Sequence, residues 1–160
     1  MRIVPLAIEH RDAVNQSVRE EWGGPMIVTL GSLYDTSALP GFIALEHDAL
    51  LGFVLYRIEN NACEIAVLYS FAQNRGAGTA LVRQVIAAAQ KHDCRRVWLV
   101  TTNDNTRAIR FYQKSGFALK AVYMDSMEKS RQLKPWIPLT GEDGIPIRHE
   151  FEFELKFQST

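Results

Sequence analysis

Apolar residues between Phe42 and Ser70 fall in three short runs, FIALEH, LLGFVLYRIE and CEIAVLYS, broken at Asp48 and at Asn60-Asn61. Runs of that length between turn residues predict three successive strands, an antiparallel meander whose second connection is a tight hairpin. Upstream, RIV predicts a short strand that Pro5 closes. Val14, Val18 and Trp22 then recur every four residues among polar neighbours, which predicts a helix over residues 9–22. The stretch GGPMIVTLGSLYDTSALPG mixes chain breakers with aromatics and predicts an irregular region with room for one helical turn.

Beyond the meander the period changes. Leu81, Val82, Val85, Ala88 and Ala89 have helical spacing, predicting a helix from Gly78 to about His92. RRVWLV is a continuous apolar run, as for a central strand covered on both faces. A second helix is predicted over about 104–115, with Ala108, Phe111, Tyr112 and Ser115 on one side and Gly116 as its stop. FALKAVYM predicts another strand, and a loop rich in proline and glycine leads to HEFEFELKF. That last run alternates strictly, which predicts a half-buried strand with Phe151, Phe153, Leu155 and Phe157 inward and Glu150, Glu152, Glu154 and Lys156 outward. The order β-α-(irregular)-β-β-β-α-β-α-β-β is that of a mixed α/β sheet with helices packed on it.

The chain has 160 residues, 47% of them hydrophobic and 22% charged, the size and composition of a single globular domain spanning residues 1–160. Eighteen basic residues balance 18 acidic ones, which disfavours a nucleic-acid partner. MRIVPLAIEHRDAV meets charge too early for a secretory core, and no run approaches a membrane span. Cys63 and Cys94 are isolated thiols outside any metal-ligand spacing, so no metal is expected and the residues fit reduced packing positions in a cytoplasmic protein. The four histidines are scattered and single out no catalytic base.

The chemistry gathers at FAQNRGAGTALV, where the strand run gives way to the helical one. A strand, a glycine turn and a helix N-terminus form a general phosphate cradle: the first helical N–H groups are unpaired, and Gly76 and Gly78 leave the backbone bare. The alternative is a tight turn and nothing more. A Walker loop would need a lysine after its glycines, and a dinucleotide fingerprint a third glycine where Leu81 stands. A second element follows in NTRAIRFYQKSGF, in which Asn105 and Tyr112 stand two helical turns apart on one face. Gln73-x-x-Gly76-x-Gly78-Thr79 resembles the coenzyme A motif of the GNAT superfamily of acetyl-CoA-dependent N-acyltransferases. A register starting at Arg75 also fits, although Gln73 puts Thr79 and Leu81 at the superfamily's usual small polar and leucine positions. Asn105-x-x-Ala108-x-x-Phe111-Tyr112-x-x-x-Gly116-Phe117 is similar to the same superfamily's second motif. The tail LKPWIPLTGEDGIPIRHEFEFEL resembles the end of a bacterial subgroup whose substrate is unsettled.

The resemblance implies a splayed, mostly antiparallel sheet of six to seven strands flanked by about four helices. It implies acetyl-CoA as co-substrate, its pyrophosphate held by the backbone from Asn74 through Arg75, Gly76, Ala77 and Gly78 to Thr79. Gln73 would brace that loop, Arg75 would stand near the phosphates, Ala66, Val67 and Leu68 would pair with the pantetheine arm, and Asn105 would bond the arm further on. Tyr112 is implied as the acid that protonates the departing thiolate, with the Leu68 N–H as oxyanion donor. A base must take the amine's proton, because an alkyl ammonium titrates near ~10. Simple alternation puts Glu64 on the face of Ala66, making it the candidate provided no bulge intervenes; a structural Glu64 is the alternative. The acceptor would enter between the segments 20–35 and 127–150. There Glu20, Glu21 and Asp35 offer charge and Trp22, Tyr34 and Trp136 an apolar wall. The implied function is transfer of an acetyl group to a primary amine, on a small molecule or an exposed amino group. A non-catalytic acyl-CoA sensor is the alternative. No membrane partner is expected, and the alternating last strand leaves a homodimer open.

Overall fold

The computed structural model describes residues 1–73 and 75–158. In chain order the elements are β1 (Arg2–Pro5), α1 (Ile8–Trp22), β2 (Met26–Thr29), β3 (Ser32–Asp35), β4 (Gly41–Glu46), β5 (Ala49–Glu59), β6 (Ala62–Ser70), α2 (Ala77–Lys91), β7 (Arg96–Thr102), α3 (Thr106–Lys114), β8 (Ala118–Tyr123), α4 (Met127–Leu133) and β9 (Glu150–Lys156). Seven strands form one sheet in the order β1-β4-β5-β6-β7-β9-β8, and β2 with β3 forms a separate hairpin. The β1–β4, β4–β5, β5–β6 and β8–β9 pairs are all antiparallel. This is the mixed, mostly antiparallel sheet with four helices that the resemblance implies. The chain divides into two compact units: Met1–Pro25 with Asp35–Val97 and Lys156–Thr160, and Met26–Tyr34 with Trp98–Leu155.

In the first unit, the meander turns where the sequence lets φ become positive. His47 and Asp48 (φ 48° and 65°) close β4–β5, and Asn60 and Asn61 (φ 52° and 58°) close β5–β6. Two successive left-handed residues make the turn whose twist matches antiparallel strands. Gly41 is glycine for a different reason: a Cβ there would fall on the Val54 carbonyl oxygen, well inside contact distance. Helix α1 buries Val14 and Val18 and stops at Gly23, whose φ of 76° ends the helix in the left-handed conformation. Helix α2 buries Leu81, Val82, Val85 and Ala89, the stripe expected from their spacing. A Cβ at Gly52 would lie 3.5 Å from Leu81 Cδ1, so the Gly52 face of β5 lies under α2. Phe53 and Leu55 therefore point to the opposite face.

The second unit departs from the sequence expectation in three places. The segment expected to be irregular contains the β2–β3 hairpin, turned at Leu30 (φ 50°) and Gly31 (φ 76°), and no helical turn. Each of its strands has only four residues, too few to show a period. Helix α4, which was not expected, packs on β2, burying Met127 and Ser130. Seven residues are too few for a hydrophobic stripe.

The third departure is in β9. Glu150, Glu152 and Glu154 were expected outward, yet all three are buried, as is Phe153. The strand stands between β7 and β8, with both faces covered. Its alternation therefore separates two kinds of interior, not inside from outside. Two of the three glutamates have local partners: Tyr123 Oη donates to Glu152 Oε1 at 2.7 Å, and Lys120 Nζ stands 3.9 Å from Glu152 and 3.8 Å from Glu154. A buried acid keeps its place only with such partners.

Candidate functional site

The chain leaves β6 at Ser70 and enters α2 at Ala77 through an exposed turn containing Gln73. Asn74 lies outside the described residues. Gly76 is the N-cap of α2 with φ 79°, and among the described residues a Cβ built there meets nothing within 4 Å. Ala80 N bonds Gly76 O at 3.1 Å, which starts the helix and leaves the N–H groups of Ala77, Gly78 and Thr79 at its free end. The helix therefore begins one residue before Gly78, which lies inside its first turn. That turn contains no acidic residue, so the positive end of the dipole is not neutralised from within. Arg75 pairs with Glu46 at the end of β4, which holds its guanidinium beside the turn.

On β6 the condition attached to Glu64 is not met. Ile65 faces Tyr56 and Val67 faces Leu55, so Ala66 is the extra residue of a β-bulge. Directly paired residues share a face. Glu64 therefore shares its face with Val67 and Tyr69, opposite α2, while Leu68 stands on the α2 side with its partner Val54. Glu64 is 2% exposed and its Oε2 accepts a 2.7 Å bond from Arg57 Nε, directly across the ladder. No local pattern signals this pairing, which depends on the strand register. Removing one partner of a buried pair strands the other charge. Arg57→Ala is expected to destabilise the protein by about 3 kcal/mol, read as a lower urea midpoint. The Arg57→Ala/Glu64→Gln double variant is expected to recover most of that loss; if it does not, the pair does not hold the meander.

Helix α3 places the remaining predicted residues. Asn105 is its N-cap, and its Oδ1 accepts a 3.2 Å bond from Ala108 N, so one end of the amide starts the helix while the Nδ2 group remains a donor. Tyr112 is 6% exposed, packed edge-on between Phe111 and Phe117 with ring centroids 5.1 and 5.5 Å away. Burial raises its phenol above the ordinary tyrosine range, so the hydroxyl keeps its proton at neutral pH. Among the described residues nothing hydrogen-bonds that hydroxyl.

The candidate acceptor residues Glu21, Trp22 and Asp35 are engaged locally. Glu21 accepts a 2.9 Å bond from Tyr69 Oη, and Trp22 stands edge-on to the same ring at 6.1 Å. Tyr69, in contact also with Phe53 and Phe71, was missed in the sequence because it reads as one more apolar strand residue. Asp35 accepts from Ser37 N at 2.8 Å in a local turn, Tyr34 is half-buried on β3, and Trp136 is exposed beneath the buried Lys134 ammonium. Asn103 was missed as well. Its Oδ1 accepts from Arg148 N and His149 N, both at 2.9 Å, and its Nδ2 donates to Pro146 O at 2.9 Å. Side chains that tie down backbone leave no periodic signal.

Cys63 and Cys94 are free and buried, and burial pushes the Cys63 thiol up to about 12, the state of an inert packing residue. Among the described residues no helix is long and apolar enough to cross a membrane, and no group of His, Cys, Asp or Glu is placed to hold a metal ion.

Known proteins match this arrangement at two levels. The acetyltransferase (GNAT) family model matches residues 9–117. The uncharacterised protein YxbD of Bacillus subtilis is 36% identical over 151 residues, covering 94% of this chain and 95% of its own. A Bacillus subtilis acetyltransferase solved in complex with CoA superposes with a TM-score of 0.69 at 20% identity, over 98% of this chain and 99% of that one. A GNAT family acetyltransferase from Elizabethkingia anophelis with acetyl-CoA bound also gives 0.69, at 15% identity, over 98% of this chain and 97% of its own. The two structures share the fold; the family model and the relative carry the assignment. The chain belongs to the GNAT family of acetyltransferases.

Proposed function

We propose that the protein moves an acetyl group from acetyl-CoA directly to a primary amine, on a small molecule or an exposed amino group. The observation that carries this is the acid-free N-terminus of α2 behind the left-handed Gly76, where a Cβ meets nothing within 4 Å among the described residues. Structures of the same fold with CoA or acetyl-CoA bound support the choice of anion.

When bound, acetyl-CoA supplies an activated thioester. In this reading the amides from Ala77 to Thr79, together with Asn74, receive the pyrophosphate and Arg75 adds charge beside it. Gln73 braces the turn. Ala66, Val67 and Leu68 carry the pantetheine arm on the bulged stretch of β6, and the Asn105 Nδ2 group donates to it. The Leu68 N–H polarises the carbonyl. Tyr112 holds the proton that the leaving sulfur takes up, and its raised pKa keeps that proton available. Glu64 acts as base only through solvent, since Arg57 already occupies one of its oxygens.

The engaged Glu64 also favours a second reading, an acyl-CoA sensor without turnover. A thermal-shift titration with acetyl-CoA, CoA, ATP and NAD tests the cofactor. A ligand that binds only the native state stabilises it by about 2.7 kcal/mol at a hundredfold excess over its Kd. Stabilisation by acetyl-CoA and CoA and not by ATP or NAD is expected, and the reverse order overturns the reading. Thiol release in the presence of an amine panel then separates enzyme from sensor.

A further inference from the structure

In the second unit, β7 and α3 are joined by Asn103, Asp104 and the N-cap Asn105. Asp104 is 6% exposed, and among the described residues its carboxylate meets no cation. Its Oδ1 accepts a 2.5 Å bond from Thr102 Oγ1, and its Oδ2 accepts a 3.3 Å bond from Glu142 N. An ionised carboxylate can only accept, which suits two facing donors. Burying one without a cation nonetheless costs stability. Helix α3 does not require it, because Asn105 already caps the helix by accepting from Ala108 N. Asp104 turns instead to the end of β7 and to the segment 137–149 that leads into β9.

That segment is built around the carboxylate. Gly141 has a φ of −109°, which asks for no glycine, yet a Cβ there would fall on Asp104 Oδ2, well inside contact distance. The segment is also anchored on both sides. Asn103 Oδ1 accepts from Arg148 N and His149 N, and the Arg131 guanidinium donates to the carbonyls of Ile137, Pro138 and Ile147. Asp104 is thus gripped between a strand end and a fixed strap, one residue before Asn105. The main chain continues the grip: Asn105 N donates to Thr102 O at 3.1 Å, and Thr106 N to Asp104 O at 2.9 Å. With Asn105 Oδ1 engaged in the cap, its Nδ2 is left without a partner among the described residues. The direction of that donor follows the backbone that Asp104 holds.

We propose that Asp104 is a positioning residue for the cofactor: by pinning the β7–α3 turn to the strap, it aims the Asn105 Nδ2 group at the pantetheine arm. The inference rests on the acetyltransferase reading, in which Asn105 donates to that arm. Asp104 itself touches no reactant and acts through Asn105.

A double-mutant cycle on the full chain tests this, with acetyl-CoA affinity measured by isothermal titration calorimetry. Asn105→Ala is expected to bind about tenfold more weakly than the wild type, the cost of one lost hydrogen bond. Asp104→Asn keeps the shape but turns an NH2 group against one of the two donors, and is expected to weaken binding roughly threefold or more. Added to Asn105→Ala, it should change the affinity by less than about twofold, because no donor is left to aim. A residue that only stabilises the fold would lower the melting temperature alike in both backgrounds and show no such coupling in affinity. Gly141→Ala, whose Cβ must push the carboxylate aside without removing it, is expected to give the same pattern, and it decides if Asp104→Asn does not fold. Losses that multiply across the two positions overturn the proposal, as does wild-type affinity in a folded Asp104→Asn or in Asn105→Ala. A wild type that does not bind acetyl-CoA sinks the acetyltransferase reading itself.

Discussion

Tyr112→Phe is expected to acetylate at least ~100-fold more slowly than the wild type while binding acetyl-CoA equally well, since a positioned acid contributes roughly 10²–10⁴ in rate. The substitution removes one oxygen. The ring stays, and with it the edge-on packing against Phe111 and Phe117 that fixes this part of α3. Because no described residue hydrogen-bonds the hydroxyl, its loss strands no buried partner, and the melting temperature should hardly move. A large fall in kcat at constant stability and constant acetyl-CoA affinity is thus the signature of an acid. Burial raises the phenol's pKa, so the wild type loses this acid only above the ordinary tyrosine range near ~10. Between pH 6 and 9 the wild-type rate should rise with pH as the amine deprotonates, with no falling limb from Tyr112. Unchanged turnover in Tyr112→Phe would remove the residue from the mechanism and leave it a packing residue.

The sequence was most legible where one physical rule acts alone. Leu81, Val82, Val85 and Ala89 face a single core, so the stripe of α2 could be read directly, and Asn60-Asn61 announced its hairpin because few residue pairs tolerate two left-handed positions. Legibility failed where two rules give the same pattern. In β9, strict alternation is what a half-exposed strand shows, but also what a covered strand shows when one face is lined by paired glutamates. Only Tyr123 and Lys120, brought in by the β8 register, distinguish the two. The bulge at Ala66 left no mark in the sequence either, and it moved Glu64 to the other face of β6 and into the grip of Arg57.

The candidate site divides along the same line. Its cofactor half depends on backbone: a bare turn and a helix start, for which glycine is the chemical requirement and therefore a visible letter. Contacts between side chains of separate segments leave no such letter. Glu150 meets Leu30 across 120 positions, and Asn103 meets His149 across 46. No local window contains such a pair. Which acceptor the protein takes was therefore closed to the sequence for a physical reason.

Gly76→Trp is expected to abolish measurable acetyl-CoA binding, a loss of at least ~100-fold or about 2.7 kcal/mol, in a protein that still folds. Two features of Gly76 set these opposite effects. Its φ of 79° is left-handed, which costs a side-chain-bearing residue roughly 1–2 kcal/mol. That is a small part of the 5–15 kcal/mol typical of a domain. Among the described residues nothing lies within 4 Å of its Cβ position, so the first atom of a side chain meets no packed neighbour. An indole there is expected to stand over the N–H groups of Ala77, Gly78 and Thr79, where the phosphates are proposed to sit. Gly76→Ala separates the two terms: it carries the same backbone strain without the bulk. It should melt slightly lower than the wild type yet retain most of its acetyl-CoA affinity. If the tryptophan variant binds acetyl-CoA normally, the glycine serves only the turn. The anion must then be sought elsewhere, and the roles proposed for Gln73 to Thr79 are lost together.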